Sequence, residues 1–136
     1  MGKPDLIIFS DGSVLAFGSV AYVRRKLSDE TWWSRIILSK SKIAPKSRIT
    51  VPRLELNGAL LSKRLEDFIM SDLDLEFDNV YHLVDSSTVL GYIHKSDAKL
   101  KPYEGIRFSE IQAAGKFVEG RLHNWSWVEG DYNPAD

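Results

Sequence analysis

Short apolar runs separated by polar turns dominate the first third of the chain. Asp5 to Ser10 is strand-sized and stops at Asp11-Gly12-Ser13, a sequence suited to leaving a strand by a turn. Gly18 to Leu27 and Thr31 to Ile43 are rich in Val, Tyr, Trp and Ile, and Ser28-Asp29-Glu30 separates them. The pattern therefore predicts three strands in an antiparallel meander, with Asp11 at a strand end.

A helical period follows this meander. Thr50 is a suitable cap, Pro52 is tolerated in a first helical turn, and the helix is predicted from Val51 to Met70. The apolar residues that recur at helical spacing are Leu54, Leu61, Leu65 and Phe68. Glu55 lies about a quarter turn from this stripe, near the helix start, where it can face the edge of the sheet.

Strands and helices alternate in the second half. Asn79 to Val84 has a strand pattern that ends at Asp85, and Ser86 is suited to cap a short helix through Ile93. A helix is predicted around Tyr103 to Ala114, and a strand over Leu122 to Val128. Because parallel neighbours need crossovers that cover the sheet, this order predicts an α/β domain. Its five-stranded mixed sheet, an antiparallel meander plus parallel strands, is flanked by helices.

Composition limits the classes of protein that remain. The chain has 136 residues, 43% of them hydrophobic, which suits a single domain over residues 1–136. The apolar runs are too short to span a bilayer, so we expect a soluble, intracellular protein. Since there is no cysteine, thiol nucleophiles, disulfides and thiolate zinc sites are excluded. Any metal must bind oxygen or imidazole.

Basic and acidic residues are segregated along the chain, although the formal net charge is only -1. Six basic residues and no acid lie between Thr31 and Leu54, whereas seven acids and no Lys or Arg lie between Glu66 and Asp85. Such runs are commonly solvated faces. The alternative is that the basic block, which ends beside Glu55, supplies phosphate contacts for a polyanion.

Three acids lie where ligands commonly bind to sheets of this kind. Asp11 and Asp85 lie at predicted strand ends, and Glu55 lies at a helix start. Neighbouring carboxylates repel one another unless a cation neutralises them, and such hard oxygen ligands favour magnesium or manganese. Each also has an ordinary explanation, as a turn former, a residue leading into a helix, or a surface helix residue.

Several motifs along the chain point together to one family. They are Pro52-Arg53-Leu54-Glu55-Leu56 followed by Ala59-Leu60-Leu61, and the segments Ile8 to Ser13, Ala21-Tyr22, Ser39 to Pro45, Val84 to Leu90, Trp127 to Gly130 and Asn133-Pro134-Ala135-Asp136. Together they resemble the ribonuclease H-like domain of BEL/Pao-type retrotransposon polyproteins, whose PRLEL-x-x-ALL helix is similar to the first of these motifs. The resemblance extends over nearly the whole chain, and the combination is more specific than any one string.

This resemblance implies a ribonuclease H-like fold and four acids in the order Asp, Glu, Asp, Asp. They fall on Asp11, Glu55, Asp85 and Asp136. By similarity, Asp11 would bridge two Mg²⁺ ions, with Mn²⁺ as an alternative, and the other three acids would complete their coordination. Two metals clamp the attacking and leaving oxygens of a phosphodiester. The order also differs from that of transposases and integrases, which end their triad with a Glu.

The implied substrate is the RNA strand of an RNA:DNA hybrid, cut during reverse transcription of a retroelement. Candidate contacts to the hybrid are Ser13, Lys40, Lys42, Lys46, Arg48, Asn57 and Ser87. The expected partner is a reverse transcriptase domain of the same polyprotein. The expected location is a cytoplasmic virus-like particle, or the nucleus if the element is domesticated.

Departures from the family pattern keep other functions open. Cellular ribonucleases H carry a His in the loop after W-V-x-G, where this chain has Asp131. His82, His94 and His123 are expected to be structural or not to replace it. The chain also ends at Asp136, so we expect a domain without a final helix, excised from a longer polyprotein. The alternatives are a weak or inactive domain that binds nucleic acid or protein, an aspartic peptidase, and an exonuclease-like fold.

Overall fold

A computed structural model describes residues 3–12, 16–43, 51–73, 76–86, 89–90, 106–107, 110–111, 125–128 and 133–135, with the backbone alone at 51 and 52. Within these residues it contains five strands and one long helix. Their bounds are β1 Asp5–Gly12, β2 Ala16–Lys26, β3 Trp32–Ile43, α1 Val51–Asp72, β4 Asn79–Val84 and β5 Trp125–Trp127. The predicted element types agree with these, and boundaries shift by about two residues where both ends are described.

The five strands form one mixed sheet in the order β3-β2-β1-β4-β5. β1 and β3 are each antiparallel to β2, whereas β4 is parallel to both β1 and β5. The antiparallel meander and the parallel strands are therefore both confirmed. Since β1 lies at the centre and β4 runs parallel to it, the carboxyl ends of these two strands meet at one edge.

α1 packs against one face of this sheet. Alternate residues of β1, Leu6 and Ile8, are fully buried, as strand alternation requires when one face is covered. One apolar cluster joins Leu6, Ile8, Ala21, Leu65, Ile69 and Val80, and a second joins Leu56, Ala59, Leu60, Val84, Val89, Ile111 and Trp125. The first half of α1 therefore packs against β4, β5, Val89 and Ile111. Its second half packs against β1, β2 and β4.

Phe68 differs from the other residues of the predicted apolar stripe. Leu54, Leu61 and Leu65 are buried, but 40% of Phe68 is exposed. The ammonium of Lys40, on β3, lies 5.4 Å from the centre of its ring, a cation–π distance. Helical period alone does not distinguish Phe68 from its neighbours, because its exposure depends on which part of the sheet lies opposite each residue.

β3 forms the outer edge of the sheet. Its tip joins β2 through a turn in which the Asp29 carboxylate accepts hydrogen bonds from the Thr31 amide at 3.1 Å and hydroxyl at 2.6 Å, while Glu30 has a φ of 68°. Trp32 and Trp33 are exposed near this tip. In the described part of the chain, no strand pairs with the outer side of β3.

The short helices predicted in the second half agree with the residues described there. Val89 and Leu90 are helical, and the Val89 amide donates to the Ser86 hydroxyl at 3.2 Å, which makes Ser86 the expected cap. Ile106, Arg107, Glu110 and Ile111 are also helical. Among the described helices, none is both long and apolar enough to cross a membrane.

Candidate functional site

The ends of β1 and β4 place two acids at the same level of the sheet. Ser10 pairs with Val84 in the parallel register. Asp11 and Asp85 follow these residues directly, on neighbouring strands that lie about 4.8 Å apart. Both acids are half-buried. They therefore lie side by side where the two strands end.

Two glycines allow the first turns of α1 to lie against the end of β1. A Cβ added to Gly58 would lie 2.6 Å from the carbonyl oxygen of Asp11. A Cβ added to Gly12 would overlap the carbonyl group of Leu54 and lie 2.6 Å from the amide nitrogen of Glu55. Contacts this short with backbone atoms require glycine unless the helix shifts. The glycines thus set the distance between Asp11 and the helical turn that carries Glu55.

The end of β4 is held by β5. The Trp127 indole N–H donates to the carbonyl oxygen of Asp85 at 3.2 Å, and the Val128 amide donates to that of Val84 at 2.8 Å. Trp127 is 54% exposed, so its ring forms part of the surface beside Asp85. The backbone of Asp85 is therefore fixed both by this indole and by the helix that Ser86 caps.

A third contact joins the last described residues to β1. The side-chain amide of Asn133 donates to the carbonyl oxygen of Ser10 at 2.9 Å, and its oxygen accepts from the Ala135 amide at 2.9 Å. Asn133 is 5% exposed. Residues 133 to 135 therefore lie beside the end of β1, next to Asp11.

This end of the sheet suits a divalent cation in its chemistry and position. Asp11, Glu55 and Asp85 come from three elements and supply the carboxylate oxygens that Mg²⁺ and Mn²⁺ prefer. Among the described residues, no group of three or more His, Asp or Glu side chains is already close enough to hold a metal ion. Asp136, the fourth predicted ligand, lies outside those residues.

Solved ribonuclease H structures share this architecture at low sequence identity. The N-terminal RNase H domain of a Mycobacterium tuberculosis protein matches with a TM-score of 0.63 and 16% identity, over 96% of this chain and 86% of that chain. RNase H1 from the archaeon Halobacterium salinarum gives 0.60 and 15%, over 96% and 90%. LC11-RNase H1, solved in complex with an RNA/DNA hybrid, gives 0.63 and 16%, over 95% and 88%. These similarities establish the ribonuclease H-like fold.

Comparison of the sequence with family models identifies the family. The Pao retrotransposon-like RNaseH-like domain model matches residues 1–86. The chain belongs to this family. The match contains the meander, α1 and β4, and with them Asp11, Glu55 and Asp85. No match was found among curated protein sequences.

Two of the predicted phosphate contacts of this Pao-family domain lie on β3. Lys40 pairs through Ser19 with Ser10, and Lys42 pairs through Phe17 with Gly12. Both lysines are exposed. They therefore lie level with the acidic end, two strands or roughly 10 Å from β1. Strand alternation places the two lysines on the same face as each other, and Lys40 contacts Phe68 of α1 on that face.

Asn57 has a different environment from that of a surface contact. It is 9% exposed, and its side-chain oxygen accepts a hydrogen bond from Nε of Arg107 at 2.9 Å. The half-buried Arg107 therefore contacts α1 at Asn57, which lies two residues beyond Glu55 in the helix. The remaining candidates Ser13, Lys46, Arg48 and Ser87 lie outside the described residues, as do His94, His123 and Asp131.

A Ser–His–Glu arrangement lies elsewhere, inside the core. Nδ1 of His82 is 2.6 Å from the Ser62 hydroxyl, and Nε2 is 2.7 Å from a Glu66 carboxylate oxygen. Trp125 stacks on the imidazole with ring centres 4.1 Å apart. All three polar side chains are buried, so no substrate reaches the hydroxyl. This network joins α1 to β4, and the prediction that His82 is structural agrees with it.

The charge of this network follows from its burial. Burial, with a smaller contribution from the nearby Lys63 ammonium, lowers the pKa of His82 to about 3, while Asp67 acts in the opposite direction. The imidazole is therefore neutral near pH 7, and its contact with Glu66 is a hydrogen bond rather than an ion pair. A neutral ring satisfies both neighbours when Nε2–H donates to Glu66 and Nδ1 accepts from Ser62.

Sequence reasoning did not identify Gly12, Gly58, Asn133, Trp127 or Arg107 as residues that shape the site. Some signals were present. Gly58 interrupts a helical pattern at a cost of about 1 kcal/mol, which commonly indicates a close approach. Asn133 precedes a proline, a pair that favours turns. Nothing local in the sequence indicates the partner of either residue.

Substitution of Gly58 by alanine tests the close approach of α1 and β1. The overlap with the Asp11 carbonyl should lower the free energy of unfolding by about 1–2 kcal/mol, because overpacking outweighs the gain in helix propensity. Urea denaturation measures this change, and amide chemical shifts of Asp11 and Glu55 should move. Gly18→Ala is the matched control, since its Cβ would meet nothing nearer than 3.5 Å. Equal stability of both variants would contradict the contact.

The buried imidazole predicts a particular pH dependence. Because the pKa of His82 is lower in the folded chain than the ordinary 6.5, the unfolded chain binds the extra proton first. The contribution of His82 to the free energy of unfolding is therefore fully present above pH 6.5. It decreases from there towards pH 3, by up to about 1.4 kcal/mol per pH unit. Urea denaturation from pH 7 to 5, where most carboxylates stay ionised, measures the slope. His82→Gln should flatten it, and an unchanged slope would show that another group is responsible.

Proposed function

We propose that this domain is a metal-dependent ribonuclease H that hydrolyses the RNA strand of RNA:DNA hybrids. The observation that supports it most is the meeting of three separate elements, β1, α1 and β4, at one end of a ribonuclease H-like sheet. Each carries one acid of the family pattern, namely Asp11, Glu55 and Asp85. Acids from three distant parts of the sequence at one end of a sheet are unfavourable for stability alone, since like charges repel.

The proposed ligands of Mg²⁺, or of Mn²⁺, are Asp11, Glu55, Asp85 and Asp136. When bound, such ions stabilise the negative charge that develops on a phosphodiester and lower the pKa of water. The chain's own contribution is rigidity. The glycine contact holds the turn that carries Glu55 near Asp11, and the Trp127 indole holds the backbone of Asp85.

The proposed substrate is favoured by the surface around the acids as well as by the fold. Lys40 and Lys42 lie about 10 Å from β1, and the exposed Trp127 ring flanks Asp85. Phosphate contacts of this kind orient a duplex without selecting a sequence. LC11-RNase H1, which shares the fold, was solved with an RNA/DNA hybrid. Ser13, Asn57 and Ser87 are proposed to assist near the acids, with Asn57 acting through Arg107.

The family suggests the setting of this activity. A retrotransposon domain that degrades RNA in hybrids serves reverse transcription, so we propose a reverse transcriptase domain of the same polyprotein as partner. The corresponding location is a cytoplasmic virus-like particle, or the nucleus in a domesticated element.

A second candidate function is hybrid binding without cleavage. The observation that favours it is that the described acids do not by themselves form a group of three around a metal position. In that case the lysines and Trp127 would hold nucleic acid, and the acids would be remnants of the family pattern. Cleavage and binding measured on the same samples distinguish the two functions.

Cleavage is tested with a hybrid whose RNA strand is labelled, incubated with and without Mg²⁺. The unaltered chain should cut the RNA strand only with the ion. Asp11→Asn, Glu55→Gln and Asp85→Asn should each reduce the cleavage rate by more than about 100-fold. Loss of a residue that only orients a metal ligand costs about 10- to 100-fold in activity, and loss of the ligand itself should cost more. Circular dichroism checks that each variant is folded.

Glu76→Gln is the matched control, since Glu76 is an exposed acid paired with Lys3 and away from the acidic end. It should cut at the unaltered rate. Hybrid binding without cleavage by the unaltered chain would favour the second function. Absence of both binding and cleavage would contradict the two together.

Removal of Lys40 or Lys42 tests the phosphate contacts. Each Lys→Ala variant should bind hybrids of different sequence more weakly by a similar factor, and the slope of log affinity against log salt should become shallower by about 1. Fluorescence anisotropy at several salt concentrations measures both. Lys26→Ala, at the opposite end of β2, should change neither. Equal slopes for all three variants would place the duplex elsewhere.

A further inference from the structure

Asn133 uses both ends of its side-chain amide to join two parts of the backbone. Its nitrogen donates to the Ser10 carbonyl at 2.9 Å across 123 positions of sequence, while its oxygen accepts from the Ala135 amide two residues later at 2.9 Å. Asn133 is 5% and Ser10 is 2% exposed. Because water is excluded, breaking the first bond leaves a buried polar group unsatisfied, at a cost of about 1–3 kcal/mol.

The location of this contact relates it to the acids. Ser10 directly precedes Asp11 on β1. Gly18, the β2 residue that pairs with Asp11, would place an added Cβ 3.9 Å from the Ala135 carbonyl oxygen. Ala135 therefore lies over the pair formed by Asp11 and Gly18. In the sequence, Asp136 directly follows Ala135.

We infer that Asn133 is a positioning residue that holds the turn leading to Asp136 against β1, so that the carboxylate of Asp136 joins those of Asp11, Glu55 and Asp85. This inference rests on the proposed function. Asn133 touches neither substrate nor metal. Its short side chain suits the task, since a donor and an acceptor separated by one carbon bridge a strand and a turn with few rotatable bonds.

A merely structural hydrogen bond would have different consequences. It would stabilise the fold without affecting what Asp136 does. The two roles are separated by a double-mutant cycle, because residues that act together have non-additive effects. The readout is Mn²⁺ affinity by titration calorimetry, which needs no turnover. The chain is measured unaltered and as Asn133→Ala, Asp136→Asn and the double variant, at a temperature where circular dichroism shows all four folded.

If Asn133 acts through Asp136, Asn133→Ala weakens Mn²⁺ binding by about 10- to 100-fold, the range for residues that orient a ligand. Adding Asp136→Asn then changes the affinity less than about twofold further. If Asp136→Asn has the same effect in both backgrounds, the positioning role is overturned while the proposed function stands. If the unaltered chain binds no Mn²⁺ and cuts no hybrid, the proposed function fails, and this inference with it.

Two further variants make the result specific. Asn133→Asp keeps the acceptor for Ala135 but cannot donate to Ser10, so it should also weaken Mn²⁺ binding. Its added negative charge alone would strengthen binding, hence a weaker affinity cannot come from charge. Asn79→Ala is the matched control, because Asn79 also donates to a β1 residue, Asp5, at 3.0 Å but at the opposite end of the strand. It should leave Mn²⁺ affinity unchanged, and a loss equal to that of Asn133→Ala would overturn the inference.

Discussion

The backbone contact between α1 and β1 at Gly12 and Gly58 constrains the rest of the functional end. Because both glycines face backbone atoms at distances too short for a side chain, the start of the helix lies closer to the strand than any other residue would allow. The apolar clusters then hold the remainder of α1 on the sheet.

The acidic end is assembled by contacts between distant parts of the chain. The helix contributes through the glycines, β5 through the Trp127 indole, and the last turn through Asn133. Each contact uses a backbone carbonyl or amide near a strand end, so it fixes the main chain that carries the acids.

The sequence predicted what depends on local pattern. Alternation and helical period gave the five strands, α1 and the capping role of Ser86, because these reflect the burial of neighbouring residues. The positions of Asp11 and Asp85 at strand ends followed from the same pattern. The partners of Gly58, Asn133 and Asn57 did not, since each bond joins elements whose relative placement only the packed core determines.

The lysines of β3 also affect whether the exposed edge of this strand can pair with another chain. A twelve-residue edge strand with Ile36 and Ile43 exposed resembles a template for pairing with another chain. Lys40 and Lys42 interrupt that edge with charge, so two copies that align their β3 strands bring like charges together. The residues proposed to hold nucleic acid therefore also disfavour pairing between the β3 strands of two copies.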